Sequence, residues 1–166
     1  MRTALLPIGN VDDDVLAHLA LELSIFGDVE ILPSVGVPES AYRPRRGQYL
    51  ASDLKELTAS YPHDKVLGIA NVDIYEDPLR FVFGLADIRG KSAIISLSRL
   101  RGGAEILKQR AAKEAFHELG HTFGLRHCLN RICVMTFSNS LADTDSKGKD
   151  YCYFCTLRLR TAGVFP

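Results

Sequence analysis

Net charge is missing: 20 lysines and arginines balance 20 aspartates and glutamates over 166 residues. No global field therefore recruits nucleic acid or an acidic membrane surface. Long apolar runs are missing too. Nothing approaches the roughly 18 consecutive apolar residues of a membrane helix. The short apolar start meets Asp12, Asp13 and Asp14 before it reaches the length of a signal peptide. Repeats and low-complexity segments are absent. These absences point to a soluble, cytoplasmic protein without membrane or nucleic-acid partners. Cysteine is scarce, with four in all. In a reducing compartment four cysteines read as metal ligands before they read as disulfides. The remaining composition, 46% hydrophobic and 24% charged, excludes a disordered or collagen-like chain. The length suits one domain, 1–166, with a real core.

Thr3 to Ile8 reads as a buried strand. Asp12 to Asp14 then cap a helix and favour the positive end of its dipole. Val15, Leu16, Leu19, Leu23 and Phe26 repeat at helical spacing up to Gly27. His18 lies in that helix with no partner motif and reads as a surface or boundary histidine. Val29 to Leu32 is a second strand. A loop from Pro33 to Gly47 carries Arg43, Arg45 and Arg46, either simply solvated or contacting a substrate carboxylate or an acidic partner. The sequence predicts a second helix over Gln48 to Tyr61 and strands over Val66 to Ile74, Phe81 to Ile88 and Ala93 to Leu97. The short link between the last two suggests an antiparallel pair. The first three strands alternate with helices, as a parallel sheet requires. Ala104 to Phe123 carries the strongest helical pattern, broken by Gly124. Asn139 to Asp150 reads as a polar, mobile loop.

His117 and His121 are four apart on that helix, so they share a face and can bind one cation. Glu118 is placed to act as general base toward water there. Gly124 lets the chain turn and bring His127 back as a third ligand. Three imidazoles leave a position open, the mark of a catalytic zinc site. Imidazole sites also take iron, nickel or cobalt. By independent residue frequencies, the two histidines, glutamate, glycine and third histidine coincide in roughly one chain in 10⁵.

Cys128, Cys133, Cys152 and Cys155 form two close pairs separated by a loop. Four thiolates saturate a tetrahedral zinc, which would be structural and would fold a tail poor in apolar residues. Free thiols, two disulfides and an iron–sulfur cluster are the other readings. Cys128 adjoins His127, so the two sites must be neighbours, and the second should fix the loop that carries the third histidine.

At these residues the chain resembles the archaemetzincins, a metzincin-clan metalloprotease family. The pattern H-E-x-x-H-x-x-G-x3-C-x4-C-x-M followed by C-x-x-C is matched by His117, Glu118, His121, Gly124, Cys128, Cys133, Met135, Cys152 and Cys155. The resemblance implies an α/β (α+β) metzincin-like zincin fold. Its parts are a twisted, mixed five-stranded sheet with one antiparallel edge strand, a long active-site helix (within 1–124) and a small zinc-clipped C-terminal subdomain (125–166). It implies two Zn2+ per chain. Met135 would be the methionine of the Met-turn beneath the histidines. The edge strand, through Phe83, Gly84, Leu85 and Ala86, would bind substrate as an added strand. Where some metzincins place a tyrosine two residues after that methionine, this chain has Phe137, which neither ligates nor donates.

The leading expectation is a zinc-dependent metallopeptidase, with Glu118 activating water, acting on peptide or protein substrates and trimming small peptides from the amino end. The alternative is a zinc-stabilised peptide-binding protein with a latent site. Nucleic-acid binding through Arg43, Arg45, Arg46, Arg158 and Arg160 is disfavoured by the neutral charge. A monomer is expected.

Overall fold

Strand β1 (Arg2–Ile8) is buried over six of its seven residues, as a central parallel strand covered on both faces must be. The structure is a computed structural model and describes residues 1–165. After β1 come α1 (Asp13–Leu23), β2 (Asp28–Ile31), β3 (Tyr42–Arg43), β4 (Gln48–Leu50) and α2 (Ala51–Glu56). They are followed by β5 (Lys65–Ala70), β6 (Ile74–Tyr75), β7 (Gly84–Ala86) and β8 (Ser92–Ser96). Three helices finish the chain: α3 (Ala104–Thr122), α4 (Leu141–Ser146) and α5 (Tyr153–Thr161).

The main sheet has five strands in the order β2-β1-β5-β8-β7. The first three pairings are parallel and β7 runs antiparallel to β8. This is the mixed sheet with an antiparallel edge strand that the sequence led us to expect. Alternation along the strands divides the core. Leu5, Leu67, Ile69, Ala93 and Ile95 face α1 and α3. Ala4, Leu6, Ile8, Val66, Ala70 and Ile94 face α2. The α3 side also takes in Leu125, Val134, Met135 and Leu159, so the chain after Gly124 completes the same core.

The cap at Asp12 forms as expected, its carboxylate accepting from the Asp14 amide at 2.8 Å. Five expectations are corrected. Residues Gln48 to Tyr61 are not one helix: Gln48–Leu50 is strand β4, the helix covers only Ala51–Glu56, and turns follow. The Tyr49 amide donates to Asp73 at 2.9 Å, capturing this segment in a second, three-stranded sheet of β3, β4 and β6. The strand expected over Val66 to Ile74 breaks after Ala70, because Ile74–Tyr75 leaves the main sheet to pair with β4. The edge strand is only Gly84–Ala86 rather than Phe81 to Ile88. The polar stretch after Asn139 contains α4, capped by the Ser140 hydroxyl accepting from the Asp143 amide. Finally, Arg43 pairs with Asp53 at 2.7 Å, and Arg46 lies over the Tyr75 ring and donates to the carbonyls of Leu79 and Arg80. Both are engaged in folding this region.

Candidate active site

Helix α3 passes beneath the edge strand and carries His117, Glu118 and His121 near its C-terminal end. The helix ends where Gly124 takes φ +96°, a backbone state that side-chain-bearing residues rarely adopt. The chain then doubles back, and His127 reaches the other two histidines. The three rings have centroids 4.7, 5.3 and 5.0 Å apart. Their ligand nitrogens lie within 4.8 Å of one another.

The hydrogen bonds fix which nitrogens face inward. His117 Nδ1 donates to the Val134 carbonyl, and His121 Nδ1 donates to the Leu125 carbonyl, each at 2.8 Å. The two Nε2 atoms therefore face each other 3.1 Å apart as bare lone pairs. Burial pushes the pKa of His117 well down and those of His121 and His127 down, which favours the neutral rings. Facing lone pairs at this distance call for a cation. Zinc–nitrogen bonds of about 2.0–2.1 Å in a tetrahedron would separate the nitrogens by roughly 3.3 Å. The donor set fits such an ion.

Glu118 is buried, and its side chain lies against the edge strand. A Cβ on Gly84 would meet Glu118 Cγ and Oε1 at 2.6 Å. Burial pushes the Glu118 carboxyl well above the usual carboxylate range, and the Glu114 charge adds to the rise. The Lys147 ammonium opposes both. A cavity of about 280 Å³ opens over these groups. Its walls include Phe81, Phe83, Leu85 and Phe137. Among the described residues β7 pairs only with β8, which leaves its other edge unpaired beside this cavity. Lys55, reaching from α2, holds Asp87 at 2.5 Å just beyond β7 and so fixes the end of that strand.

The four cysteines converge on a second point. Cys128 and Cys152 sulfurs lie 3.8 Å apart, as do those of Cys133 and Cys155, and all four fall within 4.8 Å. A disulfide needs about 2.05 Å. A tetrahedron of zinc–sulfur bonds of about 2.3 Å gives sulfur separations of roughly 3.8 Å. The Cys152 amide also donates to the Cys133 sulfur at 3.3 Å. Four such ligands would fill a tetrahedral ion and leave it no position for a substrate.

The model of peptidase family M54 matches residues 12–161. The archaemetzincin of Methanocaldococcus jannaschii is 45% identical over 174 residues, 99% of this chain and 96% of that one. The chain belongs to the archaemetzincin family. It is accordingly a zinc-dependent metallopeptidase of the metzincin clan. The crystal structure of the Methanopyrus kandleri archaemetzincin superposes with a TM-score of 0.91 at 36% identity, covering 98% of this chain and 94% of that one. The Archaeoglobus fulgidus archaemetzincin, solved in complex with malonate, gives 0.88 at 35% identity, covering 95% and 99%.

The structure brings His117, Glu118, His121 and His127 to one cavity and the four cysteines to a second point. Met135 is fully buried and lies against the ligand-bearing helix at Gly120, where a Cβ would fall 2.4 Å from its sulfur. The Phe137 ring lies tilted against His127, with centroids 5.0 Å apart. Phe83, Gly84, Leu85 and Ala86 all line the cavity. His18 lies elsewhere, 3.9 Å from Glu22. Three features escaped sequence reasoning. Gly84 and Gly120 are demanded by close tertiary approach, which leaves no local signal. Lys147 sits in the polar stretch taken for a mobile loop, yet its side chain is wholly buried against Glu114.

Proposed function

We propose that His117, His121 and His127 hold a catalytic zinc and that Glu118 is the general base and then the general acid of peptide hydrolysis. The observation that carries this reading is the pair of bare imidazole nitrogens 3.1 Å apart beside a buried carboxylate at an unpaired strand edge. Zinc bound there supplies Lewis acidity to the attacking water and to the scissile carbonyl. The backbone of Gly84–Ala86 aligns an extended peptide along β7 by main-chain hydrogen bonds. Glu118 takes the proton of the attacking water and delivers it to the leaving amine. Phe137 donates no hydrogen bond, so backbone amides are the donors this chain itself could offer a developing oxyanion, a role that a bound metal would share.

The four cysteines hold a second, structural zinc. Its support is the four-way sulfur convergence. The substrate class we assign is short peptides, cleaved from the amino end. The ladder offered by β7 is three residues long, which suits a short partner. The more exposed Glu76 and Asp77 also line the cavity, with no lysine or arginine among the described residues of its walls, which suits a free amino terminus. Digestion of a library of short peptides, with free and with acetylated amino termini, tests this. Free peptides should be cut from the amino end. Equal cleavage of the acetylated set would rule out the amino-end reading, and full activity of a Glu118→Gln variant would rule out the mechanism.

A further inference from the structure

Lys147 and Glu114 form an ion pair, Nζ to Oε1 3.1 Å, with side-chain exposures of 0% and 3%. Charges this deep are costly to place and persist when geometry compensates them. Glu114 Oε1 also accepts from the Thr144 hydroxyl at 3.2 Å, and the Lys147 ammonium lies 3.5 Å from the Thr136 carbonyl. The pair is not symmetrical toward the cleft. Glu114, one turn before Glu118 on α3, lines the cavity, whereas Lys147 does not. Ser138, also in the cavity wall, has a buried hydroxyl with no partner. Of the four carboxylates that line the cavity, Glu76 and Asp77 are the more exposed and Glu114 and Glu118 form its buried floor, where Glu114, outside the proposed reaction, is balanced by Lys147.

We infer that Glu114 is a specificity-determining residue: a floor carboxylate held neutral in sum by Lys147, so that the recess takes an uncharged substrate side chain and refuses a cationic one. The walls from Phe81, Phe83, Leu85 and Phe137 strip water from whatever enters. A lysine side chain would lose its hydration there and find a carboxylate already satisfied. An uncharged chain of the same length pays only the ordinary cost of being ordered. The inference rests on the proposal that this cavity receives the peptide.

The test compares lysine with norleucine, its uncharged counterpart, at each position of a short-peptide library, as the ratio of kcat/KM values. The zinc-loaded wild-type protein should prefer norleucine at least tenfold at one position. Lys147→Met should move that ratio at least tenfold toward lysine, through KM. Glu114→Gln leaves the ammonium behind the floor and should move it further against lysine. Loosening of α4 alone would move both variants alike, and the ratio cancels any common effect on Glu118. If Lys147→Met does not fold, the Glu114→Gln shift alone decides. The same ratio, taken as Kd values on zinc-loaded Glu118→Gln protein, separates failure of the peptidase mechanism from failure of this inference. Shifts of the same sign, no shift, or a wild-type preference for lysine at every position would overturn it.

Discussion

A methyl group on residue 84 would lie 2.6 Å from the Glu118 side chain and 2.7 Å from the Ile94 carbonyl. The carboxylate can swing aside, but the carbonyl belongs to a paired strand and cannot. Gly84→Ala should therefore displace Glu118 or bend the edge strand, costing about 1–3 kcal/mol in thermal unfolding. It should also lower kcat while metal analysis still finds both ions. Glu118→Gln preserves the shape and removes the base. Peptide hydrolysis should fall by about 10²–10⁴-fold, with metal content unchanged. At residue 120 a methyl group would meet the Met135 sulfur at 2.4 Å, so these two glycines fit the active-site helix to the strand on one side and to the Met135 turn on the other.

The elements differ in how clearly the sequence announces them. Helix α3 was legible because Ala111, Ala115, Phe116 and Leu119 repeat with helical period over a long span. The two candidate ligand clusters were legible because their members are close in sequence and chemically distinctive. β4 was not: Tyr49, Leu50, Leu54 and Leu57 fit a helix, and only pairing with distant Asp73 and Ile74 makes the first part strand. Nor was α4, which has one apolar anchor, Leu141, and is otherwise held by charges. Arg110 holds Asp145 through two contacts of 2.7 Å, and this keeps the Asp145 carboxyl below its usual range. A pKa depressed on folding stabilises above the unfolded value of about 3.9 and is lost as pH falls through the folded one. The stability gap between wild type and Asp145→Asn should be full near neutrality and shrink below about pH 4, as denaturant titrations at several pH values would read. The inner tie is stronger. Lys147→Met strands a buried carboxylate and should cost about 3–5 kcal/mol, much of it recovered in the double variant with Glu114→Met. Denaturant midpoints of the two variants check this.

At the scale of the whole molecule the two ligand clusters are not independent. Cys133, Val134 and Met135 are consecutive. The first joins the sulfur cluster, the second accepts the hydrogen bond that orients His117, and the third packs on Gly120. The Cys128 amide in turn donates to the Met135 carbonyl at 3.0 Å. Cys152→Ser should therefore weaken the histidine site too, by about 10–100-fold in metal affinity, as loss of an orienting partner does. Chelator competition on the intact chain measures it. The interleaving also has a meaning in time. A growing polypeptide completes α3 with two histidines, then must add more than 30 further residues before Cys155 closes the sulfur cluster. Until then the Val134 carbonyl has no fixed place, and the imidazole it orients is free to turn. A nascent chain thus carries the helix with two of the three histidines well before it carries the residues that orient them.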